Sequence, residues 1–340
     1  MHGGDIYRNE VEYDFSVNIN ALPAPPSVYG VIREEVENIC HYPDIHQWDL
    51  RCAIAAKEGV SPEQIVCGNG ASELIFALFA AWHPEKILLP VPCFSEYIRG
   101  AGAFGSETRY YQRKESLDFA LDEEFLDEIT PDTDMLILCE PNNPSGGLTK
   151  PELLERIAAK CQECGCLLVI DGCFLGFTGK EKEYKKLIKK WKMIRLNAFT
   201  KMYAMPGIRL GYCVLPEENM AQKLIRVLPA WNVSGMAMAA GIAALKEMEY
   251  VEQSRREMEK ERAYLAGELE KFGFRVFSSQ ANFLLFSGQE GLYEKLLQRR
   301  ILIRDCSDYP GLSAGYYRVA VKSHEHNRHL VSELLDICTT

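Results

Sequence analysis

No run of apolar residues in this chain comes near the roughly 20 that a membrane-crossing helix needs. The longest, residues 74–82 and 236–245, have the length of buried helices. Positive charge is short as well: 38 Lys and Arg stand against 48 Asp and Glu, for a formal net charge of −10. That balance argues against general nucleic-acid binding, which needs a basic face to neutralise phosphates. The one basic stretch, residues 180–192, is diluted by Glu181 and Glu183 and reads as the solvated face of a helix. There is no internal repeat and no low-complexity stretch, so no part of the chain needs to be disordered. A secretory leader is also missing, which makes the cytoplasm the expected compartment and leaves the twelve cysteines reduced. Cys67, Cys139, Cys166 and Cys213 lie in apolar runs, where thiols act as small hydrophobes. Metal spacing is incomplete: the CxxC pair Cys161 and Cys164 has no second pair. His324, His326 and His329 follow the expected cap Ser323 at a spacing that cannot place three imidazoles on one helical face. No metal is expected.

What is present is an ordinary globular composition, 47% apolar and 25% charged over 340 residues. Strand-like runs near 64–67, 86–90, 107–111, 134–139, 166–171, 193–199 and 208–214 alternate with helical patterns, and a helix is expected from about 27 to 39. Such alternation predicts an α/β fold with a mostly parallel central sheet covered by helices. A long charged helix, about 251–272, leads into shorter runs at 274–277, 282–286, 301–304 and 317–321. These predict a smaller α+β domain. The expected division is a large domain over 26–250, with 1–25 joining 251–340 in the small one.

Near the middle stands Lys201, in the string Phe199-Thr200-Lys201-Met202-Tyr203-Ala204-Met205-Pro206-Gly207-Ile208-Arg209-Leu210-Gly211-Tyr212. A lysine that condenses with an aldehyde must be able to lose its proton, through desolvation or a neighbouring cation. Thr200 and Arg209 can both bind a phosphate. Pyridoxal 5'-phosphate (PLP) carries an aldehyde and a phosphate on one ring, whereas a surface lysine beside a Pro-Gly turn is the plainer alternative. The order of the remaining parts favours the cofactor. Asp171 ends the apolar run 166–170 and can pair with a pyridine nitrogen, keeping the ring an electron acceptor. The strand at 135–139 runs into Glu140-Pro141-Asn142-Asn143-Pro144-Ser145-Gly146-Gly147, a turn that can hold the Asn143 amide against the ring's phenolate oxygen. Gly68-Asn69-Gly70-Ala71-Ser72-Glu73 joins a strand to an apolar helix, so the N–H groups of Gly70, Ala71 and Ser72 can face a phosphate. Phe94 can stack on the ring.

This set of motifs resembles the fold-type I PLP-dependent enzymes, the aspartate aminotransferase superfamily, and within it the histidinol-phosphate aminotransferase branch. Both ends resemble the threonine-phosphate decarboxylases of cobalamin biosynthesis, through His2-Gly3-Gly4 with Asp14-Phe15-Ser16-Val17-Asn18-Ile19-Asn20, and through Ile301-Leu302-Ile303-Arg304, Cys306, Tyr309-Pro310-Gly311-Leu312 and Tyr316-Tyr317-Arg318-Val319-Ala320-Val321. The resemblance implies that Arg318 and Arg304 bind the substrate's anionic groups, that His2, Gly3, Asn18 and Asn143 complete the substrate pocket, and that Lys201 and Asp171 are catalytic. It implies a homodimer in which Tyr42 reaches the cofactor phosphate of the other subunit. Two arginines suit the charge: a phosphorylated amino acid carries roughly three negative charges near neutrality, and guanidinium forks bind such oxygens in pairs. The implied reaction is decarboxylation of L-threonine O-3-phosphate to (R)-1-aminopropan-2-yl phosphate. The alternative is PLP-dependent transamination of histidinol phosphate or a related amino acid, and a PLP-binding protein without turnover is a distant third. Three positions depart from the relatives: Phe174 lacks the hydroxyl of the usual tyrosine, Gly172 replaces a larger residue, and Ala198 stands where a hydroxyl commonly faces the phosphate.

Overall fold

The computed structural model describes residues 3–339. The chain opens with a short strand, β1 (Tyr13–Asp14), and helix α1 (Pro26–Glu35), whose first turn is fixed by proline. Helix α2 (Trp48–Glu58) stops at Gly59, which takes the left-handed conformation of a helix cap. Seven strands then build the main sheet: β2 (Ile65–Gly68), β3 (Lys86–Val91), β4 (Glu107–Gln112), β5 (Met135–Cys139), β6 (Leu167–Asp171), β7 (Met193–Ala198) and β8 (Gly211–Val214). Their order is β2-β8-β7-β6-β5-β3-β4, and every pair is parallel except those of β8, which runs antiparallel between β2 and β7. Parallel neighbours need crossovers. Helices α3 (Gly70–Trp82), α4 (Ser95–Phe104), α5 (Pro151–Cys164) and α6 (Glu181–Lys190) lie between successive strands. Because helices cover both faces, β5 is apolar throughout: it reads MLILC and is buried at every position. Each fully buried Leu there contributes about 1.5–3 kcal/mol relative to exposure.

Helices α7 (Glu218–Ile225) and α8 (Gly235–Leu245) precede the long α9 (Met248–Lys271). The remaining elements are β9 (Arg275–Val276), β10 (Phe283–Ser287), α10 (Leu292–Gln298), β11 (Ile301–Leu302), β12 (Arg304–Asp305), β13 (Tyr316–Ala320) and α11 (His324–Thr339). Four of these strands form an antiparallel sheet in the order β12-β13-β10-β9, while β1 pairs with β11. The chain's beginning is thus stitched to its end, and Ala320 N adds a bond to Phe15 O at 2.8 Å.

The α/β class and the mostly parallel sheet agree with the sequence reading, and the differences are local. The run at 208–214 yields a strand only from Gly211, because Pro206–Ile208 forms a 3₁₀ turn and Arg209 is left-handed at φ 56°. Residues 301–304 divide into β11 and β12, which belong to different sheets. Gln64 leaves the expected strand to complete a capping box with Ser61. Of the three late histidines, His324 meets Glu261 at 3.1 Å and the other two pack on Tyr13. Among the described residues no helix is long and apolar enough to cross a membrane.

Candidate active site

The carboxyl ends of the parallel strands deliver the functional side chains, as open α/β sheets do where loops diverge at strand ends. Asp171 closes β6 and is buried, its Oδ2 accepting from Tyr97 Oη at 2.6 Å and its Oδ1 from Cys173 N at 3.0 Å. From the end of β7 the chain turns through Phe199 and Thr200 to Lys201. The backbone of that turn is held from the amino-terminal segment: Asn20 N donates to Lys201 O at 3.1 Å, and Asn20 Nδ2 to Met202 O at 2.6 Å. Lys201 Nζ lies 5.9 Å from the Phe174 ring centre. Burial lowers its pKa to about 8; the Arg318 and Arg209 charges push the same way, while Cys173 and Asp171 oppose.

Beside the lysine lies an anion cradle. Helix α3 begins at Gly70, whose φ is +79° and where a Cβ would run into the Arg209 guanidinium. A Cβ on Gly211 would come within 2.7 Å of Ala71 N. These two glycines let Arg209 and β8 close on the helix start, whose first N–H groups are unpaired and carry the positive end of the helix dipole. Thr200, buried after β7, brings a hydroxyl to the same cavity. On the far wall Arg318 donates Nη2 to Ser16 O at 2.7 Å and Nη1 to Asn143 Oδ1. With its Oδ1 so engaged, the Asn143 amide is oriented by that arginine. Arg304 donates to Asp308 Oδ1 at 2.7 Å and to Asp305 O.

One cavity of about 220 Å³ gathers these groups. Gly3, Asn18, Ala71, Ser72, Phe94, Asn143, Asp171, Thr200, Lys201, Arg209, Arg304 and Arg318 all line it. Gly70 stands just behind it, against Arg209. Tyr42 is elsewhere: in the single chain it is 79% exposed and packs on Trp231 at 4.6 Å between ring centres. His2 lies outside the described residues. Sequence reasoning passed over Tyr97, Cys173 and Tyr309, which also touch this machinery. Tyr97 could have been found, since it sits one helical turn after Phe94. Phe174 and Ala198 line the cavity, so the two missing hydroxyls are real features of the site. Gly172 has room for a Cβ, 3.5 Å from Leu196 O, and nothing in the structure explains it.

The chain matches the family described as "Aminotransferase class I and II" over residues 11–334. It belongs to that family. A threonine-phosphate decarboxylase from Salmonella typhimurium is 34% identical over 331 residues, 96% of this chain and 91% of that protein. A histidinol-phosphate aminotransferase from Methanocaldococcus jannaschii is 28% identical over 94% of this chain and 87% of that protein. Among solved structures, a histidinol-phosphate aminotransferase from Clostridium acetobutylicum superposes with a TM-score of 0.91 at 34% identity, covering 96% of this chain and 99% of the other. An L-threonine-O-3-phosphate decarboxylase from Porphyromonas gingivalis reaches 0.84 at 22% identity, covering 97% and 100%, a likeness of fold.

This aminotransferase-family enzyme uses PLP as its cofactor, and the residues present fit the group. A buried amine of lowered pKa, a buried carboxylate at a strand tip and a phosphate cradle are the three features that the cofactor's aldehyde, ring nitrogen and phosphate require. Two buried polar atoms of residues that line the cavity, Asn18 Oδ1 and Arg318 Nε, have no hydrogen-bond partner within the protein. Unpaired groups of this kind are costly unless a ligand or water meets them.

Proposed function

We propose that this family member acts on a small phosphorylated amino compound, changing a bond at its α-carbon. The observation that supports this reading most strongly is that Arg304 and Arg318 line the same cavity as Lys201, with Arg318 Nε unpartnered. The cofactor has its own cradle at Gly70, Ala71, Ser72, Thr200 and Arg209, so the two further guanidinia are left for the substrate's anionic groups.

When bound, PLP supplies an electron sink for charge that develops at the substrate's α-carbon. Asp171 would hold the ring nitrogen's proton, with Tyr97 and Cys173 N fixing the carboxylate. Phe94 would cover a ring face, and Asn143 would donate to the phenolate oxygen without help from Phe174. Lys201 would carry protons at the α-carbon, for which a pKa of about 8 suits neutral solution. Arg318 and Asn18 would turn the substrate so that the bond to be broken stands perpendicular to the ring.

Which bond that is divides two readings. Transamination of histidinol phosphate or a related amino acid is favoured by the family's description and by the close likeness in both fold and sequence to the Clostridium acetobutylicum aminotransferase. Decarboxylation of threonine phosphate is favoured by the 34% identity to the Salmonella decarboxylase and by the Gly3, Asn18 and Arg304 placements. Incubation of the PLP-loaded protein with O-phospho-L-threonine, without a keto-acid acceptor, separates them. Sustained CO₂ release over many turnovers establishes the decarboxylase. A reaction that stops after one half-turnover and restarts with 2-oxoglutarate, on this substrate or on histidinol phosphate, establishes the aminotransferase.

The functional unit in this proposal is a homodimer. Tyr42, Ile39, Tyr29 and Val36 expose apolar surface around α1 and the loop after it, at 79, 72, 49 and 48% exposure, and Trp231 joins them through its contact with Tyr42. Tyr42, exposed although it packs on Trp231, would meet a second subunit there.

A further inference from the structure

Tyr309 belongs to the segment Tyr309-Pro310-Gly311-Leu312, and the proposed reaction gives it no role. It is only 6% exposed and lines the cavity beside Arg304 and Arg318. The Arg304 guanidinium lies 5.0 Å from the centre of its ring, and Arg318 Nη1 reaches its hydroxyl oxygen at 3.4 Å. A phenol can accept through its lone pairs and has one proton to give. Here the oxygen accepts from Arg318, which leaves its proton for another acceptor.

Four acceptors along this wall are already engaged by arginine. Asn143 Oδ1 and Ser16 O take bonds from Arg318, while Asp305 O and Asp308 Oδ1 take them from Arg304. On the donor side, Arg318 Nε has no partner. With Arg318 Nε and the Tyr309 O–H as donors against Asn18 Oδ1 as an acceptor, the wall suits a group rich in oxygen atoms. A planar carboxylate presents two oxygens and a terminal phosphate three, and the donors here converge from β12, β13 and the turn between them.

We propose that Tyr309 donates its hydroxyl proton to an oxygen of the substrate's phosphate and so contributes directly to the preference for phosphorylated over unphosphorylated substrates. This deepens the reading of the cavity as a site for a phosphorylated amino compound and rests on it. Accepting from a guanidinium polarises the O–H bond and makes it a better donor. Burial pushes the hydroxyl's pKa up, which keeps the proton in place at neutral pH.

The test is a spectral titration of PLP-loaded wild type and Tyr309→Phe with two pairs of ligands: O-phospho-L-threonine against L-threonine, and histidinol phosphate against histidinol. The substitution keeps the ring beneath Arg304 and removes one oxygen. Expected is a loss of about tenfold or more in affinity for the phosphorylated member of a pair, no change for the other member, and an unaltered cofactor spectrum before ligand is added. A wild type that prefers phosphorylated ligands and a variant that prefers them by the same ratio would remove Tyr309 from the phosphate site while leaving the proposed substrate class intact. A wild type with no such preference would overturn the substrate class, and this inference with it.

Discussion

Lys201 shows how a side chain acquires chemistry from its surroundings. An ordinary lysine has a pKa of 10.5, and this one falls to about 8 through burial, with two arginines adding to the effect. Only the neutral amine attacks an aldehyde. The rate at which apoprotein captures PLP should accordingly rise about tenfold per pH unit below 8 and level off above it, as stopped-flow absorbance would show; a plateau reached only near 10.5 would mean that the site does not desolvate the amine. Lys201→Ala should lose the visible band of the bound cofactor together with activity, and a band that persisted would displace Lys201 from its role. The sequence exposed this residue through its neighbours Thr200 and Arg209. It concealed Tyr97, because its importance lies in a contact with Asp171 across a long separation, and Cys173 and Tyr309, because their roles depend on where the loops carrying them fold.

Elements meet at a buried ion cluster beneath the site. Glu58 at the end of α2 pairs with Arg195 of β7, lies 3.4 Å from Lys185 of α6, and accepts from Tyr212 Oη of β8 at 2.7 Å. Burial disfavours its charge, yet Arg195 and Lys185 outweigh that and hold the carboxyl at about 2, below the ordinary 4.5. A depressed carboxyl stabilises the folded state fully above the unfolded pKa and less as pH falls, so this contribution should be whole above pH 4.5 and fade toward pH 2. Glu58→Gln leaves Arg195 charged and buried; denaturant titration should show a loss of about 3–5 kcal/mol, and a change under about 1 kcal/mol would mean the pair is solvated. A backbone element is equally exposed to test at Gly70. Gly70→Ala both strains a φ of +79° and drives a methyl group into Arg209, so PLP should bind at least about tenfold more weakly. Equilibrium dialysis showing unchanged affinity would remove Arg209 from the phosphate cradle.

At the scale of the molecule, the site exists only where the carboxyl edge of the large sheet meets the amino-terminal segment and the small sheet, which brings Arg304 and Arg318. The exposed apolar surface around Tyr42 and Trp231 predicts association. Sedimentation velocity should report a dimer, and Tyr42→Ala should weaken PLP binding without changing the fold. A monomer with full PLP affinity would place Tyr42 outside any cofactor site.

The alternation of strands and helices, and hence the sheet, was legible in the sequence because apolar periodicity and Gly/Pro punctuation are local signals. The sequence also marked the motifs that hold a phosphate, a ring nitrogen and an aldehyde, since each lies in one strand–turn segment. Which distant residues share the cavity was settled by packing: Asn20 clamps the backbone of Lys201, Tyr97 supports Asp171, and Ser16 and Asn143 receive the Arg318 guanidinium. Those facts depend on packing between residues far apart in the chain, which no short-range pattern encodes.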